Sequence, residues 1–249
     1  IAQVTNLGIP YFLRAAILAV NCIIAFVFMK DLGFTPKQKE RFFYNIKKTF
    51  NTSLTIGFGN PSIRWVILAA PFGAGVGFYA FYAMQPFLLE LWGNSGAYWI
   101  AGLAAAIVAG AQIVGGLLVP YIGRLFKKRT SIFLTGIILS SLFLALIGFA
   151  KNFWVAILFL VLWALISAAT TPVRQAYLNK LIPSEERATV LSFDSLVGSS
   201  GGVVVQPILG KSADLWSYSV SYGIGAIMQF AALPFIFLAR REKPKSDDM

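Results

Sequence analysis

GGLLVPYIGRLFKKR, residues 115–129, closes an apolar segment that runs from Tyr98 to Ile122, and it ends in a Gly-Arg step and a burst of cations. A second stretch, GGVVVQPILGK at residues 201–211, follows the same plan. Each has a Gly pair, three aliphatics, a Pro, and a Gly followed by a base; the second carries Gln206 as an extra residue before its Pro. If both are membrane helices taken in chain order, they run in opposite directions, as counterparts in an inverted-topology repeat do. Gly and Pro are also frequent in membrane helices generally, so the repeat is an expectation for the structure to test.

Composition points the same way. The chain is 57% hydrophobic and 12% charged, with a mean hydropathy of +0.72; an ordinary soluble domain carries about 25% charged residues. There is no histidine, and the single cysteine, Cys22, sits in an apolar run. This excludes a disulfide framework, a Cys/His metal site and a His proton relay. The net charge of +11 comes from short cation clusters between apolar runs, which is the layout of membrane-protein loops rather than of a nucleic-acid surface.

Seven segments reach the roughly 20 apolar residues a span needs: residues 10–29, 63–89, 98–122, 131–150, 153–178, 189–212 and 216–239. Placing the end of the first span inside puts 18 cations on the inner side, against Lys151 and Lys211 outside. The positive-inside rule then predicts a chain that enters from outside and finishes with a basic cytoplasmic tail. The first residue is Ile, and no charged leader or cleavage site follows. An odd number of spans is expected of a chain whose first five spans lie upstream. Four regions are expected: residues 1–30, the last span of a first half; 31–62, a cytoplasmic linker; 63–240, a six-helix bundle; and 241–249, a basic-to-acidic tail. Within the linker, Lys37 to Phe50 spaces Phe43, Ile46 and Phe50 for one helical face beside basic residues. That predicts an in-plane amphipathic helix on an anionic leaflet, the alternative being a solvated basic linker. Pro61 suits the first turn of the next span, and Ser184 is expected to cap the sixth, with Glu185 and Glu186 in its first turn.

Polar groups within spans are costly and point to function. Arg174, near the inner end of the fifth span, and Asp194, about two turns into the sixth, match in depth. An ion pair across that helix hairpin, acting as an inner gate that parts with the helices, is one expectation; the alternative is static, with Arg174 snorkelling to lipid phosphate while Asp194 bonds neighbouring hydroxyls. Nearer the midplane lie Tyr79, Tyr82 and Gln85 before Pro86, Gln112, then Trp163, Ser167, Thr170 and Thr171 before Pro172, and Gln206 before Pro207. This aromatic and amide set suits an amphipathic organic ligand; core packing is the plainer reading of any single aromatic. The fourth and seventh spans are expected to carry few midplane polar groups. Small-residue steps at Gly73/Gly77, Ala111/Gly115 and Gly198/Gly202 are expected at close helix contacts. No nucleophile–base set, Walker loop or metal cluster is present in the sequence, so neither an enzyme nor a cofactor is expected.

Gly116 with Gly123-Arg124 and the bases to Arg129 resembles the loop signature G-x-x-x-[DN]-x-x-G-[RK] of the major facilitator superfamily, with Pro120 where the acid would stand. Asn60 to Arg64 resembles the entry to that family's seventh helix. Arg174, Asn179 and IPSEERAT at 182–189, with Ser192 and Ser195, resemble its turn between helices ten and eleven; this turn and Gln206-Pro207 look most like bacterial multidrug-type members. The resemblance implies an all-α membrane protein whose seven spans are helices six to twelve, the last six forming two inverted three-helix repeats. It implies a multi-pass protein of the bacterial inner membrane that works by alternating access, effluxes a small drug-like molecule as a proton antiporter, and needs an N-terminal six-helix half as partner. From the polar groups within the spans, the expected substrate residues are Tyr79, Tyr82, Gln85, Gln112, Trp163, Thr170 and Gln206, with Arg174 and Asp194 as gate or coupling residues and Gly116, Gly123 and Arg124 as the loop motif. A half-size homodimeric carrier and a seven-helix receptor are the alternatives; a retinal protein is excluded because residues 216–239 contain no Lys.

Overall fold

The computed structural model describes residues 3–6, 8–29 and 42–248. The described chain is helical: α1 (Ile9–Phe28), α2 (Phe42–Gly59), α3 (Pro61–Trp92), α4 (Tyr98–Leu117), α5 (Val119–Leu125), α6 (Arg129–Phe149), α7 (Phe153–Leu181), α8 (Arg187–Leu215), α9 (Tyr218–Phe230) and α10 (Leu233–Arg241). Seven of these units are long and apolar enough to cross a membrane, in the seven places expected. A lipid-exposed backbone must satisfy its own polar groups, so apolar runs of this length become helices.

Proline marks where the spans depart from simple rods. The third is broken at Leu118, because Pro120 in the first turn of α5 removes a donor and crowds the preceding turn. The seventh is broken at Ala231–Ala232, with Pro234 opening α10. Pro71, Pro86, Pro172 and Pro207 lie inside helices that continue. Asn60 caps α3 by accepting from the Ser62 amide at 3.0 Å. Ser184 does not cap the sixth span. It opens a 3-10 turn, Ser184–Glu186, and α8 begins after it.

Packing follows the expected repeat. α3 lies along α8 and α4 along α7, while α6 packs on both α7 and α9. At the first crossing, a Cβ on Gly75 would stand 2.7 Å from the Gly201 carbonyl, and one on Gly201 would meet the Pro71 carbonyl. At the second, a Cβ on Gly115 would meet the Leu165 carbonyl. Gly73 and Gly77, expected at a close contact, face open space; the intervening Gly75 makes the approach.

Two apolar clusters form the core. One gathers Val76, Tyr79, Phe87, Leu144, Leu160, Trp163 and Tyr222. The other gathers Ile63, Ile67, Phe133, Tyr177, Phe193 and Ile236 near the end of the bundle that carries Arg64, Lys180, Arg187 and Arg241. None of the residues of α1 is buried. In the expected linker, residues 31–41 lie outside the described residues, as do the side chains of Phe43 and Ile46, and the helix that follows runs on to Gly59. Its second half docks on α3 and α8, burying Ser53.

The segment after α10 folds back onto the start of α6. Thr130 donates its amide to Asp247 Oδ1 and its hydroxyl to Asp247 Oδ2, both at 2.8 Å. Arg129 donates to the Ser246 carbonyl. The Asp247 carboxylate, 2% exposed, thus supplies the N-terminal cap that α6 lacks from its own Lys128.

Candidate functional site

A cavity of about 580 Å³ lies between α3, α6, α7, α8 and the α9–α10 break, within the range of roughly 300–1,000 Å³ usual for small-ligand sites. α3 contributes Ala70, Gly73 and Ala74, a small-residue wall that leaves the space open. α7 contributes Ser167, Thr170, Thr171, Arg174, Gln175 and Asn179, the polar face of a helix whose opposite side enters the core.

Arg174 is the electrostatic centre. Its guanidinium donates Nη1 to Asp194 Oδ2 at 2.7 Å and Nη2 to Asp194 Oδ1 at 2.6 Å, and Nη2 also donates to the Val66 carbonyl at 3.2 Å. One side chain therefore ties α7 to α8 and to α3. The fork matches the carboxylate geometry, and a charge-assisted pair of this kind is roughly twice as strong per bond as a neutral one. Asp194 is 8% exposed, so its charge relies on this partner.

The remaining polar wall consists of hydroxyls and amides. Thr170 donates to the Ile166 carbonyl at 2.7 Å, Thr171 to Ser167 at 3.0 Å and Ser140 to Gly136 at 2.6 Å. Each spends its proton on its own helix and keeps lone pairs for another donor. At Ser140 that donor is the Gln229 amide. Gly136 makes room for Thr170 where α6 meets α7: a Cβ there would stand 2.6 Å from Thr170 Oγ1 and force that hydroxyl to shift. Among the described residues no three carboxylate or thiol groups converge as metal ligands.

Of the residues singled out from sequence, Ser167, Thr170, Thr171, Arg174 and Asp194 come together on this cavity, with Asn179 and Ser195 from the turn motif. Tyr79 and Trp163 instead lie in the apolar core, Tyr79 edge-on to Tyr222 at 5.9 Å between centroids. Tyr82, Gln85 and Gln112 are exposed on α3 and α4, away from the cavity. Gln206 is half-buried, its amide folded over Gly202. In the loop motif, Gly116 has open space around it, Gly123 is half-buried, and the exposed Arg124 stands 5.8 Å from the Tyr121 ring.

Sequence reasoning missed Ser140 and Gln229, which are buried on α6 and α9, the two spans expected to be poor in midplane polar groups. The signal was present as isolated polar residues inside apolar runs. Gln175 also lines the cavity unforeseen.

Residues 100–248, more than half of the chain, match the family model described as Major Facilitator Superfamily. No curated protein matches the chain in sequence. Among solved structures, the chain is similar to a bacterial homolog of the human lysosomal transporter Spinster, in an inward-facing and unoccupied conformation. The TM-score is 0.56 at 17% identity, covering 92% of this chain and 58% of that one. The fold is shared, and the chain spans little more than half the length of that transporter. By the extent of the family match, the chain belongs to the Major Facilitator Superfamily.

Proposed function

We propose that this chain, as a member of the Major Facilitator Superfamily, supplies one six-helix half, a preceding span and the central loop of a secondary carrier working by alternating access. The observation that carries the reading is the Arg174–Asp194 pair. It lines the cavity and ties three helices together by bonds that can part. We assign it as a gate on the basic side, taken as the cytoplasmic face by the positive-inside rule, and we assign the membrane as a bacterial inner membrane. The cargo is a small amphipathic organic molecule, and the direction efflux in exchange for protons. A cavity with one apolar wall and one wall of hydroxyls and amides supports that class of cargo.

The partner is a second six-helix half. Tyr82, Gln85 and Gln112 are exposed here, and amides facing lipid are costly; a facing half would cover them and complete the substrate path.

The test is flux in everted vesicles carrying this chain alone, and with a first-half bundle supplied as a separate chain. The panel is amphipathic cations, organic anions and sugars. Proton-gradient-driven flux of one class with both halves, lost on Asp194→Asn, is the expected result. Flux from this chain alone would favour a homodimer, and no flux in either arrangement would overturn the carrier reading.

A further inference from the structure

Arg174 is held at two points, the Asp194 carboxylate on α8 and the Val66 carbonyl on α3. The chain neighbours of those points, Phe193 and Ile67, are buried at 7% and 0% exposure. Both meet the same element, the linker helix α2. A Cβ on Gly57 would stand 3.2 Å from Ile67 Cδ1 and 3.3 Å from Phe193 Cδ1. On either side of that contact, Phe58 and Phe50 hold the Phe193 ring edge-on, at 5.5 Å and 89° and at 6.3 Å and 80°. Edge-to-face rings at these distances are directional contacts, not only buried area.

We propose that α2 positions the Arg174–Asp194 pair, with Gly57 and Phe193 as the positioning residues; the inference rests on the gate reading of that pair. A helix is stiff over one residue, so whatever fixes the rotation of α8 at Phe193 fixes where the Asp194 carboxylate points, about 100° further round. The same contact fixes α3 at Ile67, one residue from the carbonyl that takes the third bond of Arg174. Gly57 leaves little slack between the two: a Cβ there would push Ile67 or Phe193 by a few tenths of an ångström, and a branched side chain by more. A displacement of the linker thus acts on both anchors of the guanidinium at once, while the hydrogen bonds of the two charged groups, among the described residues, run between α7, α8 and α3. α2 connects α1 to the bundle, so a change in the linker reaches the gate through packing.

The test is a double-mutant cycle on the full chain in lipid nanodiscs, using Arg174→Gln and Asp194→Asn singly and together, read as thermal unfolding midpoints. It is run in the native background, in Gly57→Val, and in Phe193→Leu, which keeps apolar bulk but removes the ring contacts. Ala104→Val, a buried change in the other core cluster, controls for general destabilisation. The expected result is a coupling between Arg174 and Asp194 that shrinks sharply in Gly57→Val and in Phe193→Leu and persists in Ala104→Val. Undiminished coupling in Phe193→Leu, and in Gly57→Val where that variant folds, would overturn the proposal, as would an equal loss in Ala104→Val. Transport is scored separately. If Arg174→Gln leaves flux intact, the gate reading fails, whatever the coupling shows about α2.

Discussion

Gly115 and Gly201 hold equivalent places in the two repeated stretches, and each lies against a backbone carbonyl of the neighbouring span, Leu165 for the first and Pro71 for the second. The repeat seen as a sequence echo is thus a repeat of helix crossings. In lipid, where no water drives helices together, such close approaches are a main source of association.

Substitution at those two crossings is expected to be costly. Gly115→Ala and Gly201→Ala should each destabilise by about 1–3 kcal/mol, the usual cost of overpacking, because the obstructing atoms are backbone carbonyls that cannot rotate away. Gly73→Ala and Gly116→Ala meet open space and should be neutral or slightly stabilising, since Ala is the better helix former by roughly 1 kcal/mol. Unfolding midpoints of the four variants in one detergent check the ranking.

Asp194→Asn removes the charge and one of the two acceptors, leaving Arg174 at most one amide oxygen and the Val66 carbonyl. Breaking a buried pair by removing one partner costs about 3–5 kcal/mol. The Arg174 side chain is 26% exposed, which lowers the expectation to about 1–3 kcal/mol. Arg174→Gln combined with Asp194→Asn should cost less than the sum of the single changes. Because the pair is largely shielded, added salt should change this cost little.

Asp247→Ala removes the cap of α6. The expected loss is about 0.5–2 kcal/mol, concentrated at one place: hydrogen exchange should quicken in the first turn of α6, at Thr130 and the amides after it, and stay unchanged at the start of α8. Uniform exchange across both helices would count against the cap.

Ser140→Ala leaves the Gln229 amide buried without its acceptor and should cost about 1–3 kcal/mol. Adding Gln229→Leu should recover most of that, since replacing both partners of a buried bond by apolar groups is close to neutral. Recovery of stability with loss of flux would separate packing from transport at this wall.

Sequence patterns located the spans to within a few residues: residues 131–150 against Arg129–Phe149, and 153–178 against Phe153–Leu181. They also located the Arg174–Asp194 pair, because two opposite charges at matching depth on adjacent spans have few other places to go. The helical phase was not legible. In a soluble helix the apolar stripe shows which side faces the core; in these spans both lipid and core are apolar, so the stripe vanishes. Tyr79 and Tyr82 lie three residues apart on one helix, yet one packs in the core and the other is exposed.

Local hydropathy and short motifs are enough for the helical class, the seven spans, their charge bias and the family. The packing of whole helices fixes the rest: which face of each span borders the cavity, that Gly75 rather than Gly73 meets α8, that Ser140 and Gln229 enter the site, and that a carboxylate at Asp247 caps a helix beginning 118 positions earlier at Arg129. Each is a contact between residues distant in the chain, fixed by how whole helices fit together, and no local pattern encodes that fit.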